Sequence, residues 1–400
     1  MEASIFKDRE VFEETYVPPE LKVRSEEARI LINRYSKRLL EGTSSTDITV
    51  IYGSIGRVGI GKTTLAKFVG RQLERIMRAN GVNFKFIYIN VYGRASLLHI
   101  LTGLVSNLDL DISVRGAAPI EVLKVITDYL YQNNMHILVA IDEFQSLLLS
   151  GKLGPDDLYL LLRVYEEIPP RDGLNRISYL LVASDIRALS ALRERVPQVE
   201  SQIGFRQYLP AYRSDEIYEI LLQRAYLGLR PGAISDYLLS MISDVYGEDK
   251  GGDGSARRAI LSLKFAAELA EAEGSSVIKE IHVRRALAES AATSIPISDL
   301  RNLPSHQLLV LLAITNLSIE AGGWVSTSEV RRMYEELAIN YGQRPRGHTQ
   351  FYEYLEALER IGLIEKGGKG KGRYGTLRLV PDMPPDRLKE VLEHILLDTI

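Results

Sequence analysis

The stretch Gly56-Arg-Val-Gly-Ile-Gly61-Lys62-Thr63 constrains this chain more than any other eight residues in it. It fits G-x-x-x-x-G-K-[ST]. It follows an apolar run at 48–52 and opens a helix-patterned segment with apolar residues at Leu65, Phe68, Val69, Leu73 and Ile76. Such a loop belongs at a strand-to-helix corner. There its glycines let the backbone wrap phosphate oxygens, and the amides at the helix start face the negative charge. Gly56, Val58, Gly59, Ile60, Gly61 and Thr64 form the cradle for ATP or ADP, Lys62 bridges the β- and γ-phosphates of ATP, and Thr63 ligates Mg²⁺.

The surrounding pattern agrees with that corner. Apolar runs at 48–52, 84–90, 137–141 and 177–183 read as strands buried on both faces, with helical stretches between them. This predicts an α/β fold with a doubly wound parallel sheet. The run Ile137-Leu-Val-Ala-Ile ends in Asp142-Glu143. A carboxylate at that strand end, 80 residues (142 − 62) after Lys62, is placed to hold the metal shell, and Glu143 to orient the attacking water. The β-rich runs stop after Tyr208-Leu209-Pro210, and 213–292 reads as helices with glycine-containing breaks. The expected division is a base at 1–212, a helical lid at 213–294 and a further module at 295–400.

Bulk properties exclude several classes. The 400 residues carry a formal net charge of −3, so any attraction to nucleic acid must be local. Without cysteine there are no disulfides, thiolate metal sites or cysteine nucleophiles. The acidic start, MEASIFKDREVFEETYVPPEL, lacks the apolar segment of a signal peptide, and no run approaches the length of a membrane span. A cytoplasmic protein is expected.

Residues 305–320, a second segment from Thr327 to Tyr341 and a third from about Thr349 to Ile361 read as helices. The third has Phe351, Leu355 and Leu358 on one face. A hairpin over 363–380 follows. Three helices and a hairpin is the winged-helix order, in which the third helix enters the major groove of double-stranded DNA. Arg344, Arg346, His348, Thr349 and Gln350 lie at or before the start of that helix. The hairpin segment 366–378 carries Lys366, Lys369, Lys371, Arg373 and Arg378 and no acid, with glycines that permit close approach to a phosphate backbone. The alternative is a winged helix that docks protein, its lysines serving solubility.

Together these motifs resemble the archaeal replication initiators of the origin-recognition-complex type, within the AAA+ ATPases. The lead-in Ile5-Phe-Lys-Asp-Arg-Glu-Val-Phe, with Tyr16-Val17-Pro-Pro-Glu-Leu21 and Arg24, looks like that family's N-terminal signature, which packs against the adenine. Ser184 falls where the family usually has its sensor-1 Asn. Tyr212 and Arg224 resemble its nucleotide-contacting Tyr and Arg, and Gly254-Ser-Ala-Arg257 resembles its sensor-2 helix, with Arg257 toward the γ-phosphate. The chain departs from the pattern where Gly53-Ser-Ile separates Tyr52 from the loop, where Arg57-Val58 replaces two prolines, and at the short Ser184. The last implies slow hydrolysis. In Leu192-Arg193-Glu194-Arg195, Arg195 is either an arginine finger toward a neighbouring protomer or part of a solvated charge cluster. The segment 90–119 is longer than a crossover needs. Arg94 and Arg115 there are either a second DNA contact or part of a packing helix. The resemblance implies replication origins as the DNA partner and a replicative helicase or other initiator protomers as clients. The competing readings are a signalling or transcription-regulating P-loop ATPase and a clamp-loader-like assembly ATPase.

Overall fold

A computed structural model of the chain describes residues 4–42, 46–55, 57–149, 153–291, 300–321, 324–361, 363–367, 375–379 and 385–399. They fall into two compact units, Met1–Val91 with Ala95–Ala286, and Tyr92–Arg94 with Leu287–Ile400.

The first unit is built on a parallel five-stranded sheet in the order β2-β3-β4-β1-β5. Its strands are β1 (Ile48–Gly53), β2 (Asn83–Asn90), β3 (Met135–Asp142), β4 (Ile177–Asp185) and β5 (Ile203–Leu209). The inner strand β3 is buried over seven of its eight residues, as its apolar run Ile137–Ile141 requires. The helices before the lid are α1 (Ser25–Glu41), α2 (Lys62–Ala79), α3 (Leu97–Asn107), α4 (Pro119–Gln132), α5 (Gln145–Leu149), α6 (Pro155–Leu162), α7 (Val164–Glu167), α8 (Ile186–Arg195) and α9 (Pro197–Glu200). α3 occupies the long segment after β2 and buries Leu97, Ile100, Leu101, Leu104 and Val105 in the sheet's core.

β5 was not among the four expected strands. It sits at the sheet edge beside β1, and between its buried ends, Ile203 and Leu209, exposed residues alternate with partly buried ones, Arg206 among the exposed. A half-solvated edge strand carries polar residues where an inner strand carries apolar ones. The expected ends of the other strands agree with the observed ones to within two residues.

The lid follows in the same unit as α10 (Ser214–Gly228), α11 (Asp236–Tyr246), α12 (Ala256–Ala272) and α13 (Glu280–Ala291). The lead-in of the chain is strapped to it. Phe6 bridges Leu229, the Lys7 amide donates to the Gly228 carbonyl at 2.9 Å, and Lys264 pairs with Glu13 at 2.8 Å.

In the second unit α14 (Ser305–Ala321) is central, buried continuously from His306 to Thr315. Around it pack α15 (Thr327–Asn340), α16 (His348–Arg360), α17 (Pro385–Thr399) and a small antiparallel sheet in the order β6-β8-β7. Its strands are β6 (Val325–Ser326), β7 (Ile364–Gly367) and β8 (Thr376–Leu379). α15 starts where Ser326 and Glu329 each accept the other's backbone N–H, a reciprocal cap. Phe351, Leu355 and Leu358 of α16 face the core as their spacing predicts. β6 was not expected from sequence. Two residues are too few to leave a period.

Candidate nucleotide and DNA sites

The glycine-rich loop joins β1 to α2. Gly59 and Gly61 both have left-handed backbones, with φ of 72° and 86°, which side chains other than glycine rarely adopt. Close contact adds to that demand. A Cβ on Gly59 would fall 2.9 Å from Arg257 Cβ, and one on Gly61 would fall 2.2 Å from the Tyr212 hydroxyl. The Ala256 amide donates to the Gly59 carbonyl at 3.1 Å. The structure thus brings the loop, Tyr212 and the first turn of α12 together. Ile60 is fully buried and Val58 is exposed. Thr64 is half-buried, and Gly56 lies outside the described residues.

Lys62 and Thr63 begin α2 opposite the end of β3. Asp142, 2% exposed, accepts from the Thr63 hydroxyl at 2.7 Å and from the Tyr88 hydroxyl at 2.6 Å on one oxygen, and from the Glu143 amide at 2.9 Å on the other. Burial lowers the affinity of Lys62 for its proton, Glu143 and Asp142 oppose that shift, and the Arg257 charge adds to it. The charges of Glu143, Asp142 and Arg257 thus all reach Lys62. Burial, and then the Asp142 charge, push the Tyr88 hydroxyl far above its usual range, so it stays a donor.

Among the described residues no group of three or more metal-ligating side chains stands together. Thr63 and Asp142 offer adjacent oxygens, and that donor set fits Mg²⁺, which takes its remaining ligands from phosphates and water.

Glu143 has φ of 57°, left-handed for a residue with a side chain. Gln145, two residues on, donates from Nε2 to Glu143 Oε2 and accepts from the Ser184 amide at 3.0 Å. Ser184 is thus engaged through its backbone. The sequence reading missed Tyr88 and Gln145. Tyr88 lies in an expected strand, but nothing in an aromatic strand residue says that its hydroxyl meets the acid.

The adenine-side candidates are held in stacked pairs, Arg24 on Tyr212 and Arg224 on Tyr16. Arg24, itself left-handed at φ 70°, stacks on Tyr212 at 4.4 Å, donates to the Pro210 carbonyl and pairs with Glu27 at 3.2 Å. Tyr212 is 4% exposed, and burial raises its hydroxyl's pKa. Arg224, 6% exposed, stacks on Tyr16 at 4.6 Å and donates to the Val11 carbonyl at 2.7 Å. Burial brings its pKa down to about 10, still far above neutrality, so the guanidinium stays charged. Val17 is buried, its carbonyl facing Arg71 at 3.5 Å. Arg257 is partly exposed, 3.9 Å from Glu14.

Arg195 is held inside its own chain, donating to the Leu148 and Leu153 carbonyls, the latter at 3.0 Å. Its neighbour Arg193 pairs with Glu200 at 3.1 Å.

In the second unit Arg344, Arg346, His348, Thr349 and Gln350 are all exposed at the entry to α16. Arg346 is also anchored. Its amide donates to the Tyr334 hydroxyl at 3.0 Å and its Nε to His306 Nε2 at 3.1 Å, while His306 Nδ1 lies 2.9 Å from the same hydroxyl. An imidazole that accepts at Nε2 must carry its proton at Nδ1 and be neutral. Burial and the Arg346 charge both hold His306 below its usual pKa. Lys366 pairs with Glu359 at 3.3 Å, and Arg378 pairs with Glu365. Two of the five hairpin cations are therefore matched by acids outside the stretch that was counted. Lys369, Lys371 and Arg373 lie outside the described residues. Arg94, exposed, belongs to this unit, whereas Arg115 is exposed on a loop of the first. The structure does not bring those two into one unit.

The comparisons agree with this division. Residues 47–185 match the "AAA domain" family, 218–288 the "Cdc6 AAA+ ATPase-type lid domain" and 298–390 the "CDC6, C terminal winged helix domain". "ORC1-type DNA replication protein 2" of Aeropyrum pernix is 49% identical over 396 residues, covering 98% of this chain and 97% of that protein. The protein of the same description from Saccharolobus solfataricus is 34% identical over 388 residues, covering 96% and 92%. The Aeropyrum pernix ORC2 protein, solved in ADPNP–ADP complexes, is 48% identical with a TM-score of 0.71, over 99% of both chains. The Aeropyrum pernix ORC1 protein, solved in complex with DNA, is 26% identical with a TM-score of 0.70, over 100% and 98%. The chain is a member of the ORC1-type DNA replication proteins of archaea, with an AAA+ domain, a Cdc6-type lid and a C-terminal winged helix.

Proposed function

We propose that this chain is an ATP-dependent initiator that recognises replication origins as double-stranded DNA and helps recruit the replicative helicase. It would work at the nucleoid in the cytoplasm, beside other initiator protomers. Its working parts are the base at 1–212, the lid at 213–294 and the winged helix at 295–400. The observation that carries the reading is the exposed, polar entry to α16, presented by a chain that also holds a phosphate loop against an acid pair. In support, relatives of this chain were solved with DNA and with ADPNP and ADP.

For the nucleotide, Lys62 meets the β- and γ-phosphates, Thr63 and Asp142 hold Mg²⁺, and Glu143 takes a proton from the attacking water. Bound Mg²⁺ supplies charge neutralisation on the phosphates. Arg257 reads the γ-phosphate. Tyr212, Arg224, Arg24 and Val17 shape the base-side wall, and the amide of Ser184 keeps β4 in register with the acid pair.

For DNA, the first turn of α16 meets base edges, where Arg346 suits guanine and Gln350 adenine. The Nε–His306 bond leaves the terminal guanidinium nitrogens as the ones aimed at a base. Lys366, Lys369, Lys371, Arg373 and Arg344 serve the phosphate backbone, with His348 and Thr349 at the groove edge. Sequencing the DNA recovered with the protein from cells tests the reading: one or a few discrete loci are expected. Promoter-wide signal would make it a regulator, and no enrichment an assembly ATPase. Arg346→Ala or Gln350→Ala should cost about 1–3 kcal/mol on the preferred duplex and much less on a scrambled one, measured by fluorescence anisotropy. Equal losses on both duplexes remove base readout.

A further inference from the structure

We propose that the Gln145 carboxamide is the positioning residue of water activation. It pins the Glu143 carboxylate and references it to the end of β4, a task for which the Ser184 side chain is too short. The inference rests on the ATP-hydrolysing reading above.

Three observations carry it. First, the amide is engaged at both ends, with Nε2 donating to Glu143 Oε2 and Oε1 accepting from the Ser184 N–H at 3.0 Å. A backbone N–H can only donate, so the oxygen must face Ser184 and the NH₂ must face the carboxylate. The orientation of the amide is thereby decided. Second, the turn that presents both residues is fixed to the sheet. The Phe144 amide donates to the Val182 carbonyl at 2.9 Å, the Phe144 ring is buried, and the Ser146 amide donates to the Glu143 carbonyl at 2.8 Å. Third, Glu143 sits at φ 57°, a conformation that is unfavourable for a residue with a side chain and persists only where its surroundings fix it.

The last torsion of a glutamate is broad, so the backbone alone does not set the plane of its carboxylate. A donor held by β4 does. Ser184 contributes its amide and no carboxamide of its own, and Gln145 brings a carboxamide to the same place from the neighbouring turn.

The test measures ATP turnover, ATP affinity and pH–rate profiles on the full chain. Gln145→Ala should keep ATP affinity within about threefold and lower kcat about tenfold or more, the signature of lost orientation. Gln145→Glu is isosteric and keeps an acceptor for the Ser184 N–H, but sets a second carboxylate beside Glu143. The acid limb of its kcat profile should move up by about one pH unit, because like charges raise each other's pKa. Combined with Glu143→Gln, Gln145→Ala should add no further loss, since the group it positions no longer takes a proton. A fully additive double variant overturns the inference, and an unmoved acid limb in Gln145→Glu overturns it even if Gln145→Ala fails to fold. Turnover in the wild type with unaffected Gln145 variants removes this inference alone. No turnover in the wild type removes the hydrolytic reading with it.

Discussion

Lys62 is a cation whose burial already costs it part of its proton affinity, and the carboxylates of Glu143, Asp142 and Asp185 offset part of that. A nucleotide phosphate placed there gains a partner in a site poor in water, so Lys62→Ala should abolish ATP binding. Equilibrium titration with a fluorescent ATP analogue measures it, and an affinity within about threefold of the wild type would sink the phosphate-loop assignment. Glu143→Gln keeps the shape of the side chain and removes the base. Binding should persist while hydrolysis falls about a hundredfold or more, read by phosphate release. Arg257 lies on the lid side of the same cleft, against Gly59. Arg257→Ala should bring ATP and ADP affinities closer together and leave DNA affinity unchanged. A wild-type ATP/ADP ratio in that variant would end the sensor assignment.

At the scale of elements, α16 depends on a buried imidazole. His306 accepts from Arg346 Nε, and protonation would set an N–H against an N–H. Its folded pKa is depressed, so the unfolded chain takes up a proton first as the pH falls. The stabilisation is complete above the unfolded value near 6.5 and is lost as pH drops below it. Between pH 7.5 and 5.5 the wild type should lose more thermal stability than His306→Gln, whose amide supplies an acceptor and a donor without titrating. Equal losses by calorimetry would mean that other groups govern the slope. Elements with strong periods, such as α16 and β3, were legible from sequence. β5 was not, because an edge strand mixes Arg206 and Gln207 into its apolar run. The phosphate loop and the acid pair were legible because their spacing is local. Gln145 was invisible for the opposite reason: its meaning comes from Ser184, 39 positions on, brought alongside by strand pairing.

For the whole molecule, charge decides how DNA can be held. With a net charge of −3 the chain as a whole repels a duplex, so phosphate affinity must come from local cations. Lys366 and Arg378 are matched by Glu359 and Glu365; in the proposed reading the phosphate contacts therefore fall first to Lys369 and Lys371. Replacing Lys369 and Lys371 with Ala should weaken all duplexes alike and make the log-affinity against log-salt slope shallower by about two. An unchanged slope would make the winged helix a protein-docking module.

The strap between the lead-in and the lid also sets an order of events during synthesis. Val11 finds its partner Arg224 across 213 positions, and Ser4 finds Arg230 across 226. At roughly 5–20 residues per second, the lead-in waits on the order of 10–40 s for the lid to emerge. During that time Phe6 and Phe12, buried in the finished protein, lack the lid residues Gly228 and Leu229 that lie against them. The lead-in is thus made well before the partners that bury it, and until they emerge it is a stretch for a chaperone to hold.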